Sequence, residues 1–193
     1  RYGGLNRDVS QVNVIVIPTA PIQDRKPAAS PMPSAELLQE VTAYLAQRRS
    51  MTSALTVTGP RYVPIRVHLT MYVWQQAINA GKISEDMATV QQDLDQKIRQ
   101  FLHPIVGGPN GAGWEIGQDL TIAGLFEFLQ PEADVGFIER LELETLPPLY
   151  PGSRPPGFLS DDKKRVWVQL ADYEMICSAP DGKDGHHIDV KAI

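Results

Sequence analysis

The sequence contains one cysteine, Cys177, in 193 residues. That excludes an intrachain disulfide and any zinc site built from several thiolates. It also lacks any run of the ~18–20 apolar residues that a membrane-spanning helix requires. Basic residues are fewer than acidic ones, Lys+Arg 18 against Asp+Glu 23, leaving a formal net charge of −5. A protein that binds nucleic acid or an anionic membrane needs a basic face to neutralise phosphates, so neither partner is expected. No secretory signal is visible, and the first residue is Arg1 rather than methionine. The expectation is a piece of a larger protein. With 42% hydrophobic and 21% charged residues the composition is globular rather than disordered. A chain of this length buries roughly 70% of its unfolded surface, so it can fold without metal or cross-links.

Sixteen prolines fall largely in two clusters, Pro18 to Pro33 and Pro147 to Pro156. Proline fixes φ and donates no hydrogen bond, so both read as extended connectors. The second cluster separates an alternating α/β pattern from a tail that reads as strand only, which sets a boundary near Tyr150. Three segments are expected: an α+β region over 1–146, a linker over 147–160 and a β-rich tail over 161–193. The β-branched run Val12–Ile17 predicts a strand buried on both faces. Ser34 is a good N-cap, Glu36 suits the first turn, and Leu37, Leu38, Val41, Tyr44 and Leu45 form a helical stripe. From Val63 every odd position to Val73 is apolar, while Arg66, His68, Thr70, Tyr72 and Trp74 alternate with them. That period of two predicts a long strand with one face on a core, set off from the preceding strand by Gly59-Pro60. Ser84 is the expected cap of a second helix carrying Met87, Val90, Leu94, Ile98, Phe101, Leu102 and Ile105, with Glu85 and Asp86 in its first turn. Asp119 is the expected cap of a third helix with Ile122, Leu125, Phe126 and Leu129. Phe137–Glu144 alternates as a strand.

The fold class that follows is α+β: a small antiparallel or mixed sheet with two to three helices on one face, in a split-βαβ, ferredoxin-like order. The tail, with strands expected over Arg165–Cys177 and around Ile188 and Val190, is too small for its own core. It should add to an edge of this domain or of a neighbouring subunit.

Motifs for catalysis are scarce. The loop GGPNGAGW (107–114) is glycine-rich, but it follows a helix and has neither the G-x-x-x-x-G-K-[ST] nor the G-x-G-x-x-G pattern in context. It reads as a helix stop with tight turns around Trp114. His186 and His187, with Asp184 and Asp189, could offer imidazole and carboxylate to a divalent metal. Adjacent histidines on a strand point to opposite faces, however, so a solvated loop is the better reading and a metal-binding domain or metal-dependent enzyme the alternative. Cys177 has no local base, His103 sits at a helix end before Pro104, and His68 lies on a polar strand face. Glu142, Glu144, Asp161 and Asp162 read as solvated surface. No catalytic residue, metal ligand or cofactor is assigned, and the chain is not expected to be an enzyme. Candidate contact residues are Tyr72 and Trp74, aromatics at otherwise polar positions, together with Pro109, Asn110 and Trp114 of the glycine-rich loop and Trp167.

Three segments are more specific than composition: GPRYVPIRVHLTMYV (59–73), FLHPIVGGPNGAGWEIGQDLTIAGLFEFLQ (101–130) and VGFIERLEL (135–143). Together they resemble the C-terminal part of the baseplate J-like family, the baseplate assembly proteins of contractile-tailed phages and phage-like injection systems. The resemblance runs from about Val12 to Leu143. It departs after GW, where family members often carry a proline and a basic residue and this chain has Glu115 and Gln118. The resemblance implies a structural wedge subunit that rings the central spike hub and rearranges when the sheath contracts. Its partners would be other wedge subunits (a second copy or a paralogue) and the sheath-proximal and spike-hub proteins, with no nucleic acid and no membrane insertion. It would be assembled in the bacterial cytoplasm as part of a phage tail or phage-like particle.

Overall fold

The structure is a computed structural model that describes residues 10–19, 30–49, 53–147, 157–158 and 166–193. The linker expected over 147–160, its boundary at Tyr150, and Asp161 and Asp162 lie almost wholly outside the described residues.

The chain divides into two compact units, with the break between Pro60 and Arg61. In the first, strands β1 (Ser10–Ile15) and β2 (Ser53–Thr58) flank helix α1 (Ala35–Ala46) in sequence. The strands pair in parallel, from Ser10 opposite Ser53 to Ile15 opposite Thr58. Ser34 caps α1 as its residue type dictates, its Oγ accepting from the Leu37 N–H at 3.2 Å. The apolar stripe of α1 is half-buried except for Tyr44, which is exposed beneath the Arg48 guanidinium at 3.7 Å. Burial of β1 on both faces does not occur: Val12 is 45% exposed. A two-stranded parallel pair has too few neighbours to enclose both faces.

The second unit is built on β3 (Arg61–Val73), the central strand of a mixed sheet. Along one edge β3 pairs antiparallel with β5 (Gly136–Thr145). Along the other it pairs in parallel first with β8 (Glu174–Ser178) and then with β9 (His187–Ala192). The odd positions Val63, Ile65, Val67, Leu69, Met71 and Val73 are all buried. Helix α3 (Met87–Phe101) lies over β9 and α4 (Ile122–Leu129) over β5, so that Val90, Leu94, Ile98, Leu125 and Leu129 close the core. Short pieces complete the unit: α2 (Gln75–Asn79), which the sequence reading did not anticipate, and a small antiparallel sheet of β4 (Leu120–Thr121), β6 (Gly157–Phe158) and β7 (Trp167–Gln169). The class is α+β with a strand-rich C-terminal segment, as the alternating patterns imply. Connectivity is more divided than one split-βαβ sheet, because β1 and β2 keep to themselves.

Two caps differ from expectation. The N-cap of α3 is Asp86, whose Oδ1 accepts from the Ala88 N–H at 3.0 Å, while Ser84 Oγ accepts from the Asp86 N–H one turn earlier. Glu85 and Asp86 therefore precede the helix. Thr121 occupies the N-cap position of α4, because Asp119 is diverted: its Oδ1 accepts from the Leu170 N–H at 2.9 Å. The stretch expected as one strand over Arg165–Cys177 is broken by a turn at Asp172-Tyr173 into β7 and β8. All five residues of β8 are buried, so the tail supplies core to this domain. Among the described residues no helix is long and apolar enough to cross a membrane.

Candidate interaction surface

Side chains alternate across a strand, so the even positions of β3 face away from α3 and α4. The ladder sets them in rows. Glu144 lies beside Arg66; Glu142, His68 and His187 form the next row; then come Arg140, Thr70 and Asp189, and last Phe137, Tyr72 and Lys191. Thr70 opposes Arg140 but Met71 opposes Ile138, leaving Glu139 as the extra residue of a bulge. The bulge shifts β5 by one residue and thereby brings Phe137 onto the same face as Tyr72.

At one end of this face the charges are tied together. Arg66 spans Glu144 and Asp184, at 3.1 Å to each. His68 Nε2 lies 2.9 Å from Glu144 Oε2, and the His68 and His187 rings meet edge to face at 4.8 Å. The hydrogen bond from His68, and next those from Arg66, hold the Glu144 carboxyl below its ordinary range. Glu144 is thus a structural partner and not the freely solvated group expected. Farther along, Arg140 pairs with Glu142 and Lys191 with Asp189. At the other end lies an exposed aromatic cluster. The rings of Tyr72 and Phe137 stack at 5.4 Å, and Trp74 lies 5.5 Å from Phe137. Trp74 and Phe137 are 36% and 37% exposed, and Trp74 Nε1 donates to the Ala133 carbonyl at 2.9 Å. Tyr72 and Trp74 therefore stand together as the sequence reading placed them. Phe137 is not among the expected contact residues, because by sequence it shares the apolar parity of Leu141 and Leu143, and only the bulge at Glu139 turns it to this face.

The other candidate residues separate. Pro109 and Asn110 lie at the exposed tip of their loop. Trp114 is 8% exposed and belongs to the core, its ring edge to face with Phe101 at 5.5 Å, so it is not a surface anchor. The loop around it is a helix terminus turned inward. The Phe101 carbonyl, an orphan at the end of α3, accepts from the Gly108 N–H at 2.8 Å and from Trp114 Nε1 at 2.9 Å. His103 Nδ1 accepts from the N–H groups of Ile105 and Val106, each at 3.2 Å. The Gly107, Gly113 and Trp114 amides are likewise spent on the carbonyls of His103, Gly107 and Pro104. These amides have no donor left to cradle a phosphate. Trp167 is half-buried on β7, in the small β4–β7–β6 sheet, and its Nε1 has no acceptor among the described residues.

Of the region read as a solvated loop, Asp181–Asp184 and His187 are exposed, His187 opens β9, and only His186 turns inward. His186 is half-buried: its Nδ1 accepts from the Val67 N–H at 3.1 Å, and its Nε2 lies 3.0 Å from Ser178 Oγ. Since Nδ1 is an acceptor, Nε2 carries the hydrogen and donates to the serine, the reverse of a base that deprotonates a nucleophile. Burial above all, and then the Arg99 guanidinium, push the imidazole down to about 4. Asp184 is engaged by Arg66 and Asp189 by Lys191, and His187 leans on His68. The four residues are not gathered round one point, and among the described residues no group of three or more His, Cys, Asp or Glu could hold a metal. Cys177 is buried, which pushes its thiol up to about 12, far from a thiolate nucleophile. A hollow of about 590 Å³ beside α3 and α4 has Met71, Val90, Leu94 and Leu129 among its lining, and no histidine or cysteine lines it.

No family model and no curated protein sequence matches the chain.

Proposed function

We propose that this chain is a structural wedge component of the baseplate of a contractile, phage-tail-like injection machine, acting by holding neighbouring subunits in a ring around the spike hub. The reading rests on the sequence resemblance of 59–73, 101–130 and 135–143. The observation that favours contact over catalysis is the open sheet face. Its charges are mutually neutralised, and its one apolar area is the Tyr72–Phe137–Trp74 cluster. Paired charges add little to an exposed surface but lose little when a partner covers them, whereas half-exposed Trp, Tyr and Phe supply most contact energy. On this reading the partners are wedge neighbours, a second copy or a paralogue, together with sheath-proximal and hub proteins, in a particle assembled in the bacterial cytoplasm.

The test is co-purification of the full-length subunit with its baseplate neighbours. Tyr72→Ala with Trp74→Ala should weaken association at least tenfold. Because both rings are partly covered and in contact with Phe137, the variant also loses stability, so association is compared under conditions where circular dichroism shows both proteins folded. Equal recovery of partners with the double variant would count against this surface. The metal alternative is answered by calorimetric titration with zinc and manganese, for which no heat is expected.

A further inference from the structure

Beyond assembly, the interruption between β8 and β9 has a device built into it. β8 stays on β3 only as far as Ser178 opposite Ile65, and β9 begins with His187 opposite His68. Between them Arg66 and Val67 have no strand partner on that edge, and a 3-10 turn at Gly182–Asp184 makes the detour. Without a partner, a part-buried β3 amide would be an orphan there. The His186 ring fills the gap and accepts that amide, the Val67 N–H, at 3.1 Å, while its other nitrogen donates to Ser178 Oγ at 3.0 Å. Ser178 Oγ in turn donates to the Ala179 carbonyl at 3.2 Å. One side chain thus joins β3, β8 and the start of β9 through a chain of bonds that only the neutral ring can make.

We propose that His186 is an acid-released latch: its protonation frees the segment 179–193, with β9, from the edge of β3 while the rest of the unit stays folded. A proton on Nδ1 would set two donors against each other at the Val67 amide. The groups facing the ring oppose the added charge on balance. Arg99 from α3 and Arg66 and His68 from β3 are repulsive, and Asp95 from α3 is attractive. Both arginines have other duties, Arg99 bridging Asp95 and Asp181 and Arg66 bridging Glu144 and Asp184, so neither can turn away without loosening the same turn. The release would bare the β3 edge from His68 to Val73, a ready acceptor for an added strand.

Hydrogen exchange read by mass spectrometry on the full chain tests this, at about pH 7 and about pH 4.5 with intrinsic rates corrected. An imidazole at its ordinary value when free and near 4 when seated predicts opening of β9 and of the facing β3 amides about fifty-fold more often at the lower pH. Protection of β5 should hold. His186→Gln, which can accept from the Val67 amide and donate to Ser178, should erase that dependence. In parallel, the NMR titration of the His186 ring should coincide with the loss of β9 protection. Unchanged β9 protection, loss of β5 together with β9, survival of the dependence in His186→Gln, or a ring that titrates apart from β9 opening would each overturn the latch.

Discussion

Replacing Trp114 separates its two roles, as a packed ring and as a helix cap. An indole buries about 200 Å², which at about 25 cal/mol/Å² is worth about 5 kcal/mol when nearly all is covered, as it is at 8% exposure. Trp114→Ala should therefore cost this unit about 3–5 kcal/mol, the usual range for emptying a large aromatic site. Trp114→Phe keeps the stack on Phe101 but loses the Nε1–H bond to the Phe101 carbonyl. That carbonyl still receives the Gly108 N–H, so the loss should be only about 1–2 kcal/mol including the smaller ring. Urea unfolding at equilibrium, followed by far-UV circular dichroism, measures both. A loss below about 1 kcal/mol in Trp114→Ala would refute the placement of the indole in the core and restore it as a surface residue.

Other outcomes follow from the same geometry. Gly113 has φ +89°, and a Cβ there would sit 2.4 Å from the Ile105 carbonyl oxygen, so Gly113→Ala should cost well over about 1 kcal/mol in the same unfolding measurement. Cys177 should react with a disulfide reagent only at the rate of unfolding, and prompt labelling of the native protein at neutral pH would contradict its burial. The Glu144 carboxyl is lowered in the folded state, so it binds protons more readily when unfolded. Its contribution is full above the ordinary carboxylate range and is lost as pH falls through its folded value. Glu144→Gln should accordingly flatten the acid limb of the stability curve, measured as thermal midpoint between about pH 5 and about pH 2.5.

Local signals in the sequence were the ones that carried through. The alternation from Val63 to Val73 fixes β3 because one face must be dry, and Ser34 before a helical stripe fixes the start of α1. Where a side chain had two possible employers, spacing alone chose wrongly. Asp119 is a fitting cap by position but serves the Leu170 amide, 51 residues on, and Ser84 yields its role to Asp86. Trp114 is read from sequence as a loop aromatic, yet the orphan carbonyl at the end of α3 draws it inward. His186 was the least legible. Its neighbours in sequence are turn residues, while its partners, Val67 and Ser178, come from strands whose meeting depends on the whole sheet. Of the surface, Tyr72 and Trp74 could be read from parity, but the bulge at Glu139 that brings Phe137 beside them could not.

The reading as a baseplate subunit meets its most direct test in a density map of an intact contractile particle from the organism that encodes this chain. The account predicts the β5–β3–β9 sheet in a ring around the spike, with the Tyr72–Phe137–Trp74 cluster covered by an adjacent subunit. A ring without this fold, or this fold in place with that cluster facing solvent, would contradict it.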